Sequence, residues 1–274
     1  MMLAVTACYT TCTLNDKYAV SRAGFTGGEF AFLVSASLSV FLMFSLPFQE
    51  IRFTIAWQSF VAVGLIALDK ILEFYTCAIV LKELSAFELK AWLGLTLFMS
   101  YFTDVIFGED VSILRIGFIT VTAFGLVLIA HSKKEHPVRY RAILLPLIFY
   151  LISKYAYGLV IRGFTPYASP IMQLIPAMVI VTLVTAFTVN LRAMFRKSPR
   201  AAGSVIIARI PNTVGMILEN AVIAISLTNY SFIQPMVLVT LFFISLIQRE
   251  KRTTVNLIGS ILCMIGVIGF QAFR

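Results

Sequence analysis

Residues 56–81 read AWQSFVAVGLIALDKILEFYTCAIVL, and residues 205–227 read VIIARIPNTVGMILENAVIAISL. Each stretch is long enough to cross the hydrocarbon core of a bilayer as a helix, which takes about 20 mostly apolar residues at about 1.5 Å of rise each. Both carry one signature: Ile71-Leu72-Glu73 with Ala78-Ile79 five residues beyond the glutamate, and Ile217-Leu218-Glu219 with Ala224-Ile225 at the same spacing. A carboxylate inside an apolar helix costs about 2.5 to 3.5 kcal/mol on insertion scales, so its recurrence asks for a reason.

Working outward, eight more segments reach spanning length: Met2 to Ser21, Phe30 to Phe48, Phe87 to Phe107, Ile113 to Ala130, Ala142 to Ile161, Ala168 to Leu191, Ser231 to Ile247 and Val255 to Phe273. The composition agrees, with 59% hydrophobic and 13% charged residues, against about 25% charged in ordinary soluble domains. Mean hydropathy is +0.92. Barrel strands are excluded, because they would run about ten residues with alternating polarity. The net charge of +9 sits in short clusters between apolar runs, a pattern that suits an anionic membrane surface and not a nucleic acid.

Cys8, Cys12, Cys77 and Cys263 lie in apolar runs without paired spacing, and His131 and His136 flank a basic connector with no ligand spacing. Neither a disulfide framework nor a metal site is indicated, and no cofactor is expected. Val5-Thr6-Ala7-Cys8 looks like a lipoprotein cleavage box, but no basic residue precedes it, so the N-terminus is read as part of the first helix. Nothing resembles hydrolytic or covalent chemistry or a phosphate-binding loop, so the expectation is a protein that is not an enzyme and is not driven by ATP.

The one long basic connector, 132–141, separates residues 1–131 from 142–274, and the two sides repeat. Lys17-Tyr18-Ala19 followed by Gly24-Phe25-Thr26 recurs as Lys154-Tyr155-Ala156 followed by Gly163-Phe164-Thr165, Ser85 matches Ser231, and Glu109 with Gly117 and Gly125 matches Glu250 with Gly259 and Gly266. An odd number of helices per copy turns the second copy upside down, with a pseudo-twofold axis in the membrane plane. The expected fold is therefore an all-α integral membrane protein of ten transmembrane helices, arranged as two inverted five-helix repeats.

These residues resemble the drug/metabolite transporter superfamily, specifically its ten-helix EamA-like branch, over essentially the whole chain. The features that carry the resemblance are the lysines late in the first helix of each half (Lys17, Lys154), the Ala-Ile stretch leading to a serine turn (Ala78 to Ser85, Ala224 to Ser231), the acidic turns at Glu109 and Glu250, the glycine-bearing last helices and Pro235. The first half has Leu89 where Pro235 has its counterpart. The resemblance implies secondary transport of small organic metabolites by alternating access, and both termini in the cytoplasm. The charges argue otherwise for the termini. Arg22, Lys82, Lys90, Lys133, Lys134, Arg139, Arg141, Arg192, Arg196, Lys197, Arg200, Arg249, Lys251 and Arg252 fall on one side of a ten-helix arrangement, and only Arg52, Arg115, Arg162 and Arg274 on the other. The positive-inside rule then puts both termini outside. A bacterial cytoplasmic membrane fits the compact loops.

Candidate cavity residues come from the helices that carry charge. Asp69 and Glu73 share a face, with Lys70 within reach of Glu73 at i, i+3. The cluster reads either as self-neutralising packing or as a polar wall of a cavity. Arg209, Asn212, Glu219 and Asn220 lie on the matching helix of the second half, and Lys154 with Tyr155 and Tyr157 lies near the middle of its own. Asn15-Asp16-Lys17 ends the first helix and reads as snorkelling to the interface. Tyr101, Asp104, Gln173, Asn229, Tyr230 and Gln234 either line the cavity or bond between helices. Glu73 and Glu219, as repeat-mates, are the candidates for proton coupling, while Glu109 and Glu250 read as structural helix starts. The expected partners are membrane lipid, a small-molecule solute such as an amino acid, and protons. A carrier of lipid or lipid-linked substrates with a lateral opening, and a non-transporting scaffold or sensor, are the alternatives.

Overall fold

Apolar runs set the length of these helices, and the polar residues between them set where each begins. In a computed structural model, which describes residues 2–49, 51–106, 108, 110–131, 140–225, 227–247 and 253–273, α1 (Met2–Ser21) turns through Gly24, whose φ of +70° favours glycine, into α2 (Gly27–Ser45). Thr26 Oγ1 accepts from Glu29 N, and Glu29 Oε2 accepts from Thr26 N at 2.8 Å, a reciprocal cap that satisfies two amides the helix cannot. The same device, Ser85 with Glu88, starts α4 (Ala86–Leu93) directly after α3 (Trp57–Glu83). Gly94 then separates α4 from α5 (Leu95–Ile106), so the single helix expected over Phe87 to Phe107 is two. Glu109 and Glu250, expected as helix starts, lie outside the described residues.

The remaining helices are α6 (Ile113–His131), α7 (Tyr140–Phe164), α8 (Pro170–Thr188), the short α9 (Leu191–Lys197), α10 (Pro199–Ile225), α11 (Leu227–Ile247) and α12 (Thr254–Ala272). Tyr140 and Arg141, read as connector, already belong to α7. Pro146, Pro176 and Pro211 sit inside α7, α8 and α10, where each removes one backbone donor. Threonines in α1 limit their own cost in an apolar setting: the Thr10 and Thr13 hydroxyls donate to the carbonyls of Thr6 and Tyr9, one turn back.

Among the described residues, four helical segments are long and apolar enough to cross a membrane, Gly27–Phe48, Tyr140–Phe164, Pro170–Thr188 and Pro199–Ile223, with shorter apolar helices at Ile113–Ile129 and Thr254–Phe270. α3 has the length, but Asp69, Lys70 and Glu73 fall in its middle. Large apolar side chains face outward along these helices, Leu68 and Ile207 each being 66% exposed, whereas Lys70, Glu73, Lys90, Arg209 and Glu219 are only 2 to 6% exposed. A surface that is apolar while the centre is charged inverts the order of a water-soluble protein. The chain is an all-helical, multi-pass integral membrane protein.

The helices pack α3 on α7, α1 on α10, α2 on α8 and α6 on α12, with α3 also against α8, α2 against α10, and α11 against α1, α4 and α5. The α6–α12 contact is the tightest because glycines line it: a Cβ at Gly125 would stand 2.7 Å from the Gly259 carbonyl oxygen, and one at Gly266 would meet the Phe118 carbonyl at 2.8 Å. Two sets of contacts close the ends. At the end where α1 finishes, Lys197 Nζ donates to the Gly24 carbonyl at 2.7 Å, Asn15 donates to the Ser204 carbonyl at 3.2 Å, and Lys17 Nζ donates to the Leu81 carbonyl at 2.5 Å. At the other end the α2–α3 loop pairs with the α7–α8 loop, Ser169 N donating to Arg52 O at 2.7 Å and Thr54 N to Tyr167 O at 2.9 Å.

Candidate functional site: a charged cavity inside the bundle

A cavity with about 690 Å³ of space between side chains, its open mouth included, lies among α1, α2, α3, α4, α7 and α10. Lys70 and Glu73 of α3 contribute charge to its lining. One helical turn puts Lys70 and Glu73 on a common face, and α7 packs there, bringing Lys154 to the other carboxylate oxygen. Glu73 Oε2 stands 2.6 Å from Lys70 Nζ, and Oε1 stands 2.6 Å from Lys154 Nζ. Lys70 Nζ also sits 3.7 Å from the centroid of the Tyr157 ring, whose negative face attracts the ammonium. Glu73 is thus a single carboxylate shared by two lysines from two helices.

Glu219 reaches the same cavity from α10. Its Oε2 accepts the Tyr9 hydroxyl from α1, and among the described residues its Oε1, fully buried, has no hydrogen-bond partner. The two glutamates therefore face one space with different surroundings: Glu73 is paired with two ammoniums, and Glu219 accepts from one phenol. Towards the end where α1 finishes, Asp16 and Arg209 form a close ion pair across α1 and α10. Arg209 is held further by its Nε donating to the Val205 carbonyl at 3.3 Å. Lys90, 5% exposed, enters the lining from α4, and Phe30, Val34 and Leu38 of α2 add apolar surface to it.

Of the residues singled out in the sequence, Lys70, Glu73, Lys154, Arg209, Asn212 and Glu219 line the cavity. Asp69 is not part of the lining: its Oδ1 accepts from Ser153 at 2.8 Å, and among the described residues its buried Oδ2 has no hydrogen-bond partner. Asn220 is also outside the lining and accepts from the Tyr157 hydroxyl at 2.9 Å. Tyr155 is turned away towards α5, where its hydroxyl bonds Thr103, because it lies one position, about 100° of helical rotation, from Lys154. Tyr230 donates to the Lys154 carbonyl at 2.7 Å, Gln173 to the Ala168 carbonyl, and Tyr101 accepts from Ser112 N, so these bond within the bundle. The side chains of Asp104, Asn229 and Gln234 lie outside the described residues.

Three residues of the site were read otherwise from sequence. Asp16 was placed at the membrane interface, yet it is paired with Arg209 within the bundle. Lys90 was counted among the basic residues of one membrane side, yet it is buried on the cavity wall. Its removal from that tally leaves thirteen basic residues on the richer side against four, so the charge bias keeps its sign. Tyr9 had been read only as part of an apolar run. Lys17 behaves as a helix-end lysine, its ammonium capping the carbonyl of Leu81 near the end of α3.

Side chains of both charge signs therefore border one buried space. Among the described residues no group of three or more His, Cys, Asp or Glu side chains stands close enough to hold a metal ion. The sequence matches no family model and no curated protein.

Proposed function

We propose that the protein is a secondary active transporter of small polar organic metabolites, working by alternating access between two inverted five-helix repeats, as in the drug/metabolite transporters its sequence resembles. The observation that carries this reading is the cavity itself: seven acidic or basic side chains (Asp, Glu, Lys and Arg) from five helices converge on one space inside an apolar shell. A scaffold has no need of such a space, since ionisable groups in a membrane are costly and mark solute or ion paths.

The packing supports the inverted repeat. Exchanging α1 with α7, α2 with α8, α3 with α10, α4–α5 with α11 and α6 with α12 turns the α3–α7 contact into α10–α1, and the α3–α8 contact into α10–α2; α2–α8 and α6–α12 map onto themselves. The loop contacts obey the same exchange, the Arg52–Ser169 pairing at one end corresponding to the Lys197–Gly24 pairing at the other. Ten crossings, with α4 and α5 as one bent span and α9 as a surface helix, place every one of these loop contacts on a consistent side.

Proton coupling, in this reading, belongs to Glu219. Glu73 keeps two ammonium partners at 2.6 Å, whereas the buried Oε1 of Glu219 offers a place for a proton. The test is reconstitution into liposomes with a lumenal pH dye, followed by addition of amino acids, organic acids and polyols one at a time. At least one solute should move the lumenal pH with the native protein, and Glu219→Gln should remove the pH change while leaving exchange of labelled solute across equal pH. If no solute in the library exchanges or raises the melting temperature of the purified protein, the transporter reading is wrong.

A further inference from the structure

The short helix α9 is set apart by its two ends. Asn190 Oδ1 accepts from Ala193 N at 3.1 Å and caps its start. Ser198 leaves it with φ −154° and ψ 79°, out of the helical region that a following proline disfavours. Pro170–Thr188 before α9 and Pro199–Ile223 after it are both long and apolar enough to cross a membrane, so α9 lies where the bilayer meets water. Its residues divide round the axis. Met194 is fully buried and anchors it to the bundle. At about 100° per residue, Leu191 and Phe195 share one side of α9, Arg192 and Arg196 the next, and Lys197 the far side. Leu191 and Phe195 are 36% and 43% exposed, and Phe187 in the last turn of α8 is 91% exposed. Arg192 and Arg196 are exposed, as is Arg200 in the first turn of α10. Among the described residues none of these three arginines has a hydrogen-bond or ion-pair partner. Lys197 is engaged, donating to the Gly24 carbonyl at 2.7 Å and standing 3.8 Å from Glu29. No acidic residue occurs anywhere from 136 to 218, so this stretch of chain supplies no counterion of its own.

We infer that α9 is a seat for an anionic phospholipid, whose phosphate is held by Arg192 and Arg196 and whose glycerol and acyl part lies on Leu191 and Phe195. Guanidinium forks match phosphate oxygens in pairs. Free basic residues at the membrane boundary draw anionic headgroups, and an apolar side next to them lets the helix lie in the interface. Arg200 adds to the same field from the start of α10. The seat also has a mechanical consequence: a lipid that fixes α9 fixes Lys197, and with it the turn between α1 and α2 that Lys197 holds. The inference follows from membrane insertion and stands whether or not the protein transports.

The experiment uses the whole purified protein in dodecyl maltoside at fixed ionic strength. It is titrated with dioleoylphosphatidylglycerol, dioleoylphosphatidylcholine and glycerol 3-phosphate, and melting shifts are converted to apparent affinities. The phosphatidylglycerol should raise the midpoint, and the other two should not. Arg192→Gln combined with Arg196→Gln should weaken the phosphatidylglycerol by about tenfold or more. Lys82→Gln combined with Arg141→Gln removes the same charge from exposed positions at the same end of the bundle. That pair should leave the affinity within about threefold of the native value, since surface charges at a distance are screened. Phe195→Asn should weaken the lipid while both arginines remain. Equal shifts from phosphatidylglycerol and phosphatidylcholine overturn the inference, and so do equal losses in the two double variants, which would mean a diffuse field and no seat. A response to glycerol 3-phosphate that matches the lipid also overturns it, because the occupant would then be a soluble phosphate. If the double arginine variant does not fold, Arg196→Gln measured against Arg141→Gln decides by the same criterion.

Discussion

Removing the carboxylate of Glu73 is the most direct probe of the buried charges. Glu73→Gln preserves the shape of the side chain and leaves two ammoniums, each 2.6 Å from it, facing one neutral amide. Breaking a buried ion pair by taking away one partner costs about 3 to 5 kcal/mol, because the charge left behind has lost its compensation. Two pairs break here, but Lys70 keeps the Tyr157 ring at 3.7 Å and Lys154 keeps Glu219 within electrostatic reach, so the loss stays in that range and does not double. At roughly 2 to 4 °C per kcal/mol, the value for chains of 150 to 250 residues, the melting midpoint falls by about 6 to 20 °C. Midpoints are compared at one scan rate in one detergent, so that any irreversible step is common to all variants. Asp69→Asn is the control. Its oxygen still accepts from Ser153, so the change should be about 1 kcal/mol or less. Adding Lys70→Met to Glu73→Gln removes one of the stranded charges and should return about 0.5 to 3 kcal/mol relative to the sum of the single losses. A Glu73→Gln midpoint within about 3 °C of the native protein, or strict additivity in the double variant, would refute a carboxylate shared between two lysines.

Three further outcomes follow from the same geometry. Asp16→Asn should destabilise the protein by about 3 to 5 kcal/mol, because it leaves the Arg209 guanidinium, 3% exposed, without its carboxylate; a midpoint like that of the native protein would place Asp16 at the interface instead. Gly266→Leu should fold poorly or lose about 1 to 3 kcal/mol or more by forcing α12 off Phe118 and Thr122 of α6, whereas Gly203→Leu, with open space around it, should fall within about 1 kcal/mol of the native midpoint. In intact cells expressing a cysteine-free background, a membrane-impermeant maleimide should label only one of Arg52→Cys and Lys197→Cys, both exposed positions at opposite ends of the bundle; labelling of both from the same side would defeat the inverted arrangement.

Much of the helical framework could be read from hydropathy, because a bilayer demands length and apolarity and both are local properties. The first segment, Met2 to Ser21, has the bounds of α1, and Ala142 to Ile161 lies wholly within α7. Local signals also explain the misplacements. Gly94 divides a segment that hydropathy treats as continuous, and the Ser85–Glu88 cap places Lys90 on the second turn of α4. Four residues from a helix start looks like an interface in a linear count. Which face the lysine presents depends on α11 and α1 packing beside α4, and no window along the chain carries that information. The Asp16–Arg209 pair lies still further from sequence reading, since its partners are 193 positions apart. Tyr9 was missed for a chemical reason: a tyrosine counts as apolar in a hydropathy sum although its hydroxyl is a donor.

The proposed duplication would account for the position of the two glutamates but not for their surroundings. In the register that sets Glu73 against Glu219, Asp69 and Lys70 stand opposite Gly215 and Met216, while Arg209 and Asn212 stand opposite Val63 and Ile66. The first helix therefore surrounds its carboxylate with an ion cluster, while the second, among the described residues, gives its carboxylate one hydrogen-bond donor, a phenol, and carries its cation ten residues away. Gly215 shows what that exchange made possible. A Cβ there would meet the Tyr9 ring at 2.8 Å, so the missing side chain is what lets the phenol approach Glu219. In the proposed transporter the backbone halves exchange roles by symmetry, but the chemistry does not: the cluster at Glu73 keeps its charges paired in both states, and a single exchangeable proton at Glu219 registers which state the protein is in. Restoring side-chain bulk with Gly215→Ala should then displace Tyr9 and alter the pH dependence of exchange before it alters exchange at equal pH. A variant that lost both together would show that the phenol supports packing and has no part in coupling.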